Sequence, residues 1–392
     1  MFNLSKDDVN EKGALHTATE IYHQPEVWRE LIISLKDTQP AFSKFMEGIN
    51  KNHKRIDFIL TGAGTSAYVA ETVAPVLNRW SDKNMVFNAI PTTDIVSNPS
   101  EFLSPETATV MVSFARSGNS PESKAAVSLG QQLVKDFYQV VITCNQDGQL
   151  AKNVEYDEKG FTVLMPEKAN DKSLAMTSSF TSMLLAAYEL FIPEQGKDLE
   201  TGRLIEAGDK LLKQVDDVVN TILRNHFERV IYLGSGILGK LAQEASLKML
   251  ELTGGRVIAL HESTLGFRHG PKSVLNKNSI VIVFVSQDEY TRKYDLDMIR
   301  QLQEEKASSM VVALSIQADN EIEELADLAF SLEENEGEEA SDFLSALTYI
   351  LFAQTLAMKK SIQLGITPDN PSPTGAINRV VQGVTIYKYE DE

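Results

Sequence analysis

The chain has 392 residues, 43% of them apolar and 23% charged, with a net charge of −18, enough length for two or three domains with full cores. This acidity argues against a phosphate-backbone binder, which needs clustered Lys and Arg, so no nucleic-acid partner is expected. One cysteine, Cys144, excludes an intrachain disulfide framework and suits a reducing compartment.

Residues 1–50 have the pattern of helices. In EVWRELIISL (26–35) apolar residues recur near i, i+3 and i+4. Trp28, Leu31, Ile32 and Leu35 form a stripe expected to face a second copy, giving a homodimer. The N-terminus MFNLSKDDVNEK lacks a basic stretch followed by an apolar one, so no secretory signal is visible. The longest apolar run, residues 280–285, is far too short to span a bilayer. A cytoplasmic protein with no membrane partner is expected.

From Ile56 onward short apolar runs alternate with amphipathic stretches. DFILTG, MVFNAI, TVMVSFA and QVVITC have strand character, and ESKAAVSLGQQLVKDF has helical character. This alternation predicts an α/β fold of βαβ units, a parallel sheet flanked by helices. Cys144, ending QVVITC, is expected to pack as a buried thiol. A further helix is predicted over TSSFTSMLLAAYELF, after Met176.

The same programme then repeats. Gly62 of ILTGAG and Gly234 of IYLGSG lie 172 residues apart, and TVMVSFARS aligns with IVIVFVSQD at an offset of 171. QVVITC falls on MVVALS at that same offset of 171, and SSFTSML falls on SDFLSAL at 163. The order and spacing indicate two tandem α/β repeats at 51–195 and 205–365, after an N-terminal helical segment (1–50) and before an irregular tail (366–392). Between Asp319 and Asp342 stand eleven carboxylates and no Lys or Arg, expected to form a solvated loop and helix ends.

Ligands of open parallel sheets bind at the carboxyl ends of strands, where helix N-termini offer N–H groups and a favourable dipole. Two such loops in the first repeat are rich in hydroxyls: GAGTS (62–66) and ARSGNSPES (115–123). Small residues let the backbone approach an anion, Ser and Thr add donors, and Arg116 adds charge. Ser and Thr are also common structural N-caps, but two such loops at neighbouring strand ends point to a phosphate site. The second repeat carries Gln287-Asp288-Glu289-Tyr290 at the matching place, whose carboxylates would repel a phosphate. A competing reading is dinucleotide binding, since Gly62/Gly64/Ala67 and Gly234/Gly236/Gly239 fit GxGxxG/A. It leaves SGNS unexplained, and the acidic residues that follow at Asp94 and Glu262 stand beyond the ~20-residue spacing expected for ribose binding.

In EASLKMLEL, residues Glu244, Lys248 and Glu251 fall within about a 60° stripe of a helix. Leu247 flanks them on one side, and Leu241, Ala245 and Leu252 on the other. One reading is a surface Glu–Lys pair. The other is a charged array facing a cleft, with His269 of the following FRHGP loop facing the same cleft.

These pieces, with EIYHQP (20–25) and the terminal QGVTIY, occur in the order found in double sugar isomerase (SIS) domain proteins, which the chain resembles. It is similar to the isomerase half of glucosamine-6-phosphate synthase and to the AgaS-type galactosamine-6-phosphate deaminases and tagatose-6-phosphate ketose/aldose isomerases. The resemblance implies that Thr65, Ser66, Ser117 and Ser120 hold a sugar phosphate, with N–H groups from Gly118 and Asn119. It implies that Glu251 moves the proton between C1 and C2, that His269 assists ring opening, and that Glu244 and Lys248 line the site. Lys248 is either a counter-ion to the two glutamates or a substrate ligand. Three positions depart from the synthase pattern: Arg116 stands for Gln, Met176 for a sugar-binding Ser, and Gln382 for the Schiff-base lysine. No amidotransferase segment or N-terminal cysteine nucleophile accompanies these motifs, which favours the direction from amino sugar to ketose and ammonia. No cofactor or metal is implied. Plain aldose/ketose isomerisation is the alternative reaction, and a non-catalytic sugar-phosphate sensor the alternative outside enzymes.

Overall fold

The computed structural model describes all residues except 1, 3, 4, 82, 83, 198–200, 334–339, 382, 391 and 392. Among the described residues, the strands form two five-stranded sheets, all paired parallel. The first holds β1 (Ile56–Thr61), β2 (Met85–Ala89), β3 (Ala108–Ala115), β4 (Phe137–Thr143) and β5 (Gly160–Leu164) in the order β2-β1-β3-β4-β5. The second holds β6 (Arg229–Gly234), β7 (Ile258–Ser263), β8 (Ser279–Phe284), β9 (Met310–Gln317) and β10 (Leu328–Glu333) in the order β10-β9-β8-β6-β7. Numbered within its own repeat, each sheet runs 2-1-3-4-5, so the repeat seen in the sequence is a repeat of topology. The strand order reverses between the first and third strand of each sheet, which is where open parallel sheets bind ligands.

Burial follows from this position. Every residue of β3 and of β8 is buried, as expected of central strands covered on both faces. Edge strands need fewer apolar residues, which is why β5 and β10 escape the sequence pattern. The acidic stretch before Asp342, expected to be loop and helix ends, contains the helix Asn320–Leu325 and then β10. Ile322, Phe330 and Leu332 are buried there, so a few apolar residues are enough to seat the segment.

The chain divides into two compact units. The first-sheet unit comprises Glu26–Asp171, Met176–Lys197 and Gly375–Glu392; the second-sheet unit comprises Met1–Pro25, Lys172–Ala175 and Asp198–Thr374. In the first-sheet unit Trp28, Leu31 and Leu35 are buried in their own core, and Trp28 Nε1 donates to Thr181 Oγ1 at 3.0 Å. The stripe expected to meet a second copy is therefore spent within the chain. A Trp28→Ala change would cost about 3–5 kcal/mol of core packing.

In the second-sheet unit the helix Asp342–Gln363 is buried on nearly all sides. It packs against the helices Ile237–Leu252 and Thr201–Leu223, which explains its lack of a polar face. The EIYHQP stretch belongs to the same unit. Its Glu20 carboxylate, 5% exposed, accepts the N–H groups of Lys172 and Ser173, and Gln24 Nε2 donates to Gln354 Oε1 at 2.7 Å. No helix among the described residues is long and apolar enough to cross a membrane.

Candidate active site

In the first-sheet unit β1 runs into Gly62, Ala63 and Gly64 and then the helix Thr65–Trp80. A Cβ on Gly62 would lie 2.5 Å from Ser66 Cβ, and Gly64 has φ +57°, so the turn demands both glycines. It is tight enough to set Thr65 and Ser66 in the first turn of the helix, 4% and 6% exposed. β3 runs into Arg116-Ser117-Gly118-Asn119-Ser120 and then the helix Pro121–Leu133. Because β1 and β3 are neighbours, with Thr61 opposite Ser113, both hydroxyl-rich loops open at the same switch point.

The second loop is braced by the turn that follows β4. Asn145 Nδ2 donates to the Ser117 carbonyl at 2.8 Å, and Gln149 N donates to Asn119 Oδ1 at 2.9 Å. Asn119 N donates to Ser117 Oγ at 3.3 Å, and Ser120 Oγ donates to Glu122 Oε2 at 2.7 Å. Arg116 is 6% exposed, and its Nη2 donates to the Arg379 carbonyl at 3.2 Å. Asn145 and Gln149 were not singled out in the sequence; the turn residues of CNQDGQ directly after a strand were the available signal. Cys144 is buried, as expected, and burial holds its thiol well above the ordinary range.

In the second-sheet unit β6 leads through Ser235 and Gly236 into the helix Ile237–Leu252. The charged stripe on that helix is buried. Glu244 and Lys248 are 0% exposed, while the Glu251 side chain is 23% exposed. Lys248 Nζ lies 3.4 Å from Glu244 Oε1 and hydrogen-bonds Glu251 Oε2. The surface-pair reading is thus excluded for Glu244 and Lys248, and Lys248 stands between both carboxylates as their counter-ion. Such an array is costly to desolvate and costlier to break. Glu251 alone of the three reaches toward solvent.

His269 ends the 3-10 turn Gly266–Arg268 that follows β7, its backbone N–H on the Gly266 carbonyl at 2.9 Å. Phe267, 1% exposed, anchors this turn in the core. Arg268 ties it to the helix Glu289–Glu305 through Gln301 Oε1 at 2.6 Å and Asp297 Oδ2 at 2.7 Å. The flanking residues of FRHGP are therefore anchors, and His269 itself is exposed. Among the described residues no hydrogen bond or ion pair joins His269 to the Glu244–Lys248–Glu251 array.

The switch point of the second sheet is filled by carboxylates. Asp295, 0% exposed, accepts Ser286 N at 3.0 Å and Ser235 Oγ at 2.7 Å. Asp342 accepts Gln287 N and Ser286 Oγ, both at 2.7 Å. Burial holds both carboxyls above the ordinary range, with the hydrogen bonds from Ser235 and Ser286 and from Gln287 opposing it. Asp288, expected to repel a phosphate directly, instead caps the helix Glu289–Glu305 by accepting Thr291 N. Asp295 and Asp342 were not singled out because their helices bring them in from a distance in sequence. Among the described residues no three His, Cys, Asp or Glu side chains gather to hold a metal. Gln382 lies outside the described residues.

A family model described as the SIS domain matches residues 51–193 and 222–361. The chain belongs to the SIS domain family. A Shewanella sp. (strain ANA-3) protein named D-galactosamine-6-phosphate deaminase AgaS is 40% identical over 387 residues, covering 98% of this chain and 95% of its own length. A solved Clostridium novyi NT structure, provisionally assigned as a tagatose-6-phosphate ketose/aldose isomerase, has TM-score 0.94 and 38% identity, with 99% of each chain covered. The Escherichia coli tagatose-6-phosphate ketose/aldose isomerase structure has TM-score 0.82 and 34% identity over 96% of this chain and 97% of its own. The two SIS segments coincide with the two sheets, so the duplicated topology is that of tandem SIS domains.

Proposed function

We propose that this SIS chain is an amino-sugar phosphate deaminase/isomerase that converts galactosamine-6-phosphate to tagatose-6-phosphate and ammonia. The observation that carries the reading is the buried Glu244–Lys248–Glu251 array, whose only partly exposed member is a carboxylate held in one orientation by Lys248. The full-length likeness to a protein named galactosamine-6-phosphate deaminase supports the substrate.

Phosphate is assigned to Thr65, Ser66, Ser117 and Ser120 and to the backbone at Gly118 and Asn119. The ring opens with His269 passing a proton between O5 and solvent. Glu251 then takes the C2 proton, made acidic by the C1 aldehyde. O1 gains a proton, and reprotonation at C1 leaves an imine at C2. Water hydrolyses it to ketone and ammonia. The repeats are assigned to 51–195 and 205–365, with a helical segment at 1–50 and a tail at 366–392.

A second reading, ketose/aldose isomerisation without deamination, is supported by the name of the Escherichia coli structure and needs the same proton transfer. Incubating the pure protein with galactosamine-6-phosphate, glucosamine-6-phosphate and tagatose-6-phosphate, with assays for ammonia and ketose, separates the two. Ammonia released from galactosamine-6-phosphate is the expected result. Aldose phosphate formed from tagatose-6-phosphate without any ammonia from either amino sugar would replace the deaminase reading by the isomerase one. Turnover of none of the three would favour a sensor.

The protein is further proposed to act in the cytoplasm as a homodimer. Ile258 and Leu260 on the edge strand β7 and Leu265 beyond it are 49%, 38% and 46% exposed, an apolar edge of the kind a second copy covers. Light scattering at micromolar concentration is expected to give twice the chain mass, and the monomer mass would refute it.

A further inference from the structure

Arg116 opens the proposed phosphate loop, yet its Nη2 is given to the Arg379 carbonyl at 3.2 Å, and the residue is 6% exposed. Arg379 in turn donates from its own Nη2 to Asn170 Oδ1 at 2.9 Å and to the Asp171 carbonyl. The Asp171 carboxylate is fully buried and caps the helix Ser178–Phe191, accepting Thr177 N, Ser178 N and Ser179 N and the hydroxyls of Thr177 and Ser179. Those donors are all uncharged. Arg116, Arg379 and Asp171 all lie near enough to act on the buried Cys144 thiol.

The tail that carries Arg379 has no strand or helix among its described residues, so side-chain bonds determine its place. A second attachment is Tyr389, which packs on the core around Met111 and Leu133 and accepts Gln132 Nε2 on its carbonyl at 3.2 Å. Gln132 lies on the helix that leaves the phosphate loop. The tail is thus fastened at one end to the residue that enters the loop and at the other to the helix that follows it.

We infer that Arg116 and Arg379 are positioning residues that seat the C-terminal tail against the phosphate loop, and that Arg116 is not itself a phosphate ligand. This rests on the proposed assignment of the loop to the sugar phosphate. The test uses the full chain, inorganic phosphate as probe of the loop, and hydrogen exchange of residues 375–390 as probe of the tail. Arg116→Ala and Arg379→Ala are each expected to lower kcat/KM for galactosamine-6-phosphate about tenfold, from the loss of the charge-assisted hydrogen bonds that hold the tail. The double variant should fall no further than either single one, and both should speed exchange in the tail. The inhibition constant for inorganic phosphate should stay within about twofold, and Arg116→Gln, which keeps a donor for the carbonyl, should recover most of the rate. A rise in that constant in Arg116→Ala but not in Arg379→Ala would make Arg116 a phosphate ligand and overturn the inference. Additive losses, or unchanged tail exchange, would overturn it as well. If phosphate fails to compete in the wild type, or Ser117→Ala leaves its constant unchanged, the loop assignment itself falls, while tail exchange still decides the tether.

Discussion

The carboxyl ends of the two sheets share one strand order and are finished with opposite chemistry. In the first sheet the loops after β1 and β3 bring hydroxyls and small residues to the switch point, and the second of them is braced from outside, by Asn145 and Gln149. In the second sheet the matching amides and hydroxyls of Ser286, Gln287 and Ser235 are already bonded to Asp295 and Asp342. A protein carboxylate sits where an anionic ligand would otherwise be held. Duplication supplied two equivalent strand ends. The lesson is that two buried acids are enough to close one of them to an anion.

This contrast can be broken most directly at Glu251. Glu251→Gln keeps shape and hydrogen bonding but removes the proton acceptor, so kcat should fall about 10²–10⁴-fold with KM little changed. Deuterium exchange at C2 of the substrate should fall with it, and wild-type-like exchange would move the base elsewhere. Removing Lys248 tests the buried array as a structure. Lys248→Met leaves Glu244 buried without its counter-ion and should cost about 3–5 kcal/mol in urea unfolding. Adding Glu244→Gln should return much of that loss.

The proposed anion site is tested by Ser66→Ala and Ser117→Ala. Each should raise KM by about tenfold or more, from the loss of a hydrogen bond to a charged group worth about 1.5–3 kcal/mol. Ser235→Ala, in the carboxylate-filled end, should leave KM unchanged. An equal rise there would mean that the two ends are not divided as argued.

The smallest effect is on the pH dependence of stability. Burial raises the folded-state pKa of Asp342 above its ordinary 3.8, so the folded state takes up a proton more readily than the unfolded chain. Its charge therefore opposes folding above the raised pKa, and this penalty disappears as pH falls toward the ordinary value. Between pH 7 and 4 the wild type should gain stability relative to Asp342→Asn. A difference that does not vary with pH would show that the carboxylate is not destabilised where it lies.

Much of this was legible in the sequence because it depends on periodicity and local turn chemistry. The apolar runs ending at Thr61, Ala115 and Thr143 became strands, and GAGTS became a strand-to-helix turn because Gly62 leaves room for Ser66. Apolar flanks on both sides of Glu244 and Lys248 left a surface pair and a cleft-facing array both open, and burial decided between them. Edge strands were harder. β10 needs only Phe330 and Leu332 inward, and a run of acids conceals that pattern.

The amino-acid sequence by itself determined the duplicated parallel α/β plan, since alternation and a near-constant offset between repeats are properties of the chain order. It determined the hydroxyl-rich loops for the same reason. Only the tertiary structure decided which groups those loops and helices face. It turned Trp28, Leu31 and Leu35 into their own core rather than toward a second copy. It brought Asp295 and Asp342 onto Ser286, and Arg116 onto a carbonyl 263 residues away in sequence. Partners that far apart leave no local pattern. Their pairing is selected by the desolvation of charged and polar groups, which acts only once the sheets and helices have closed around them.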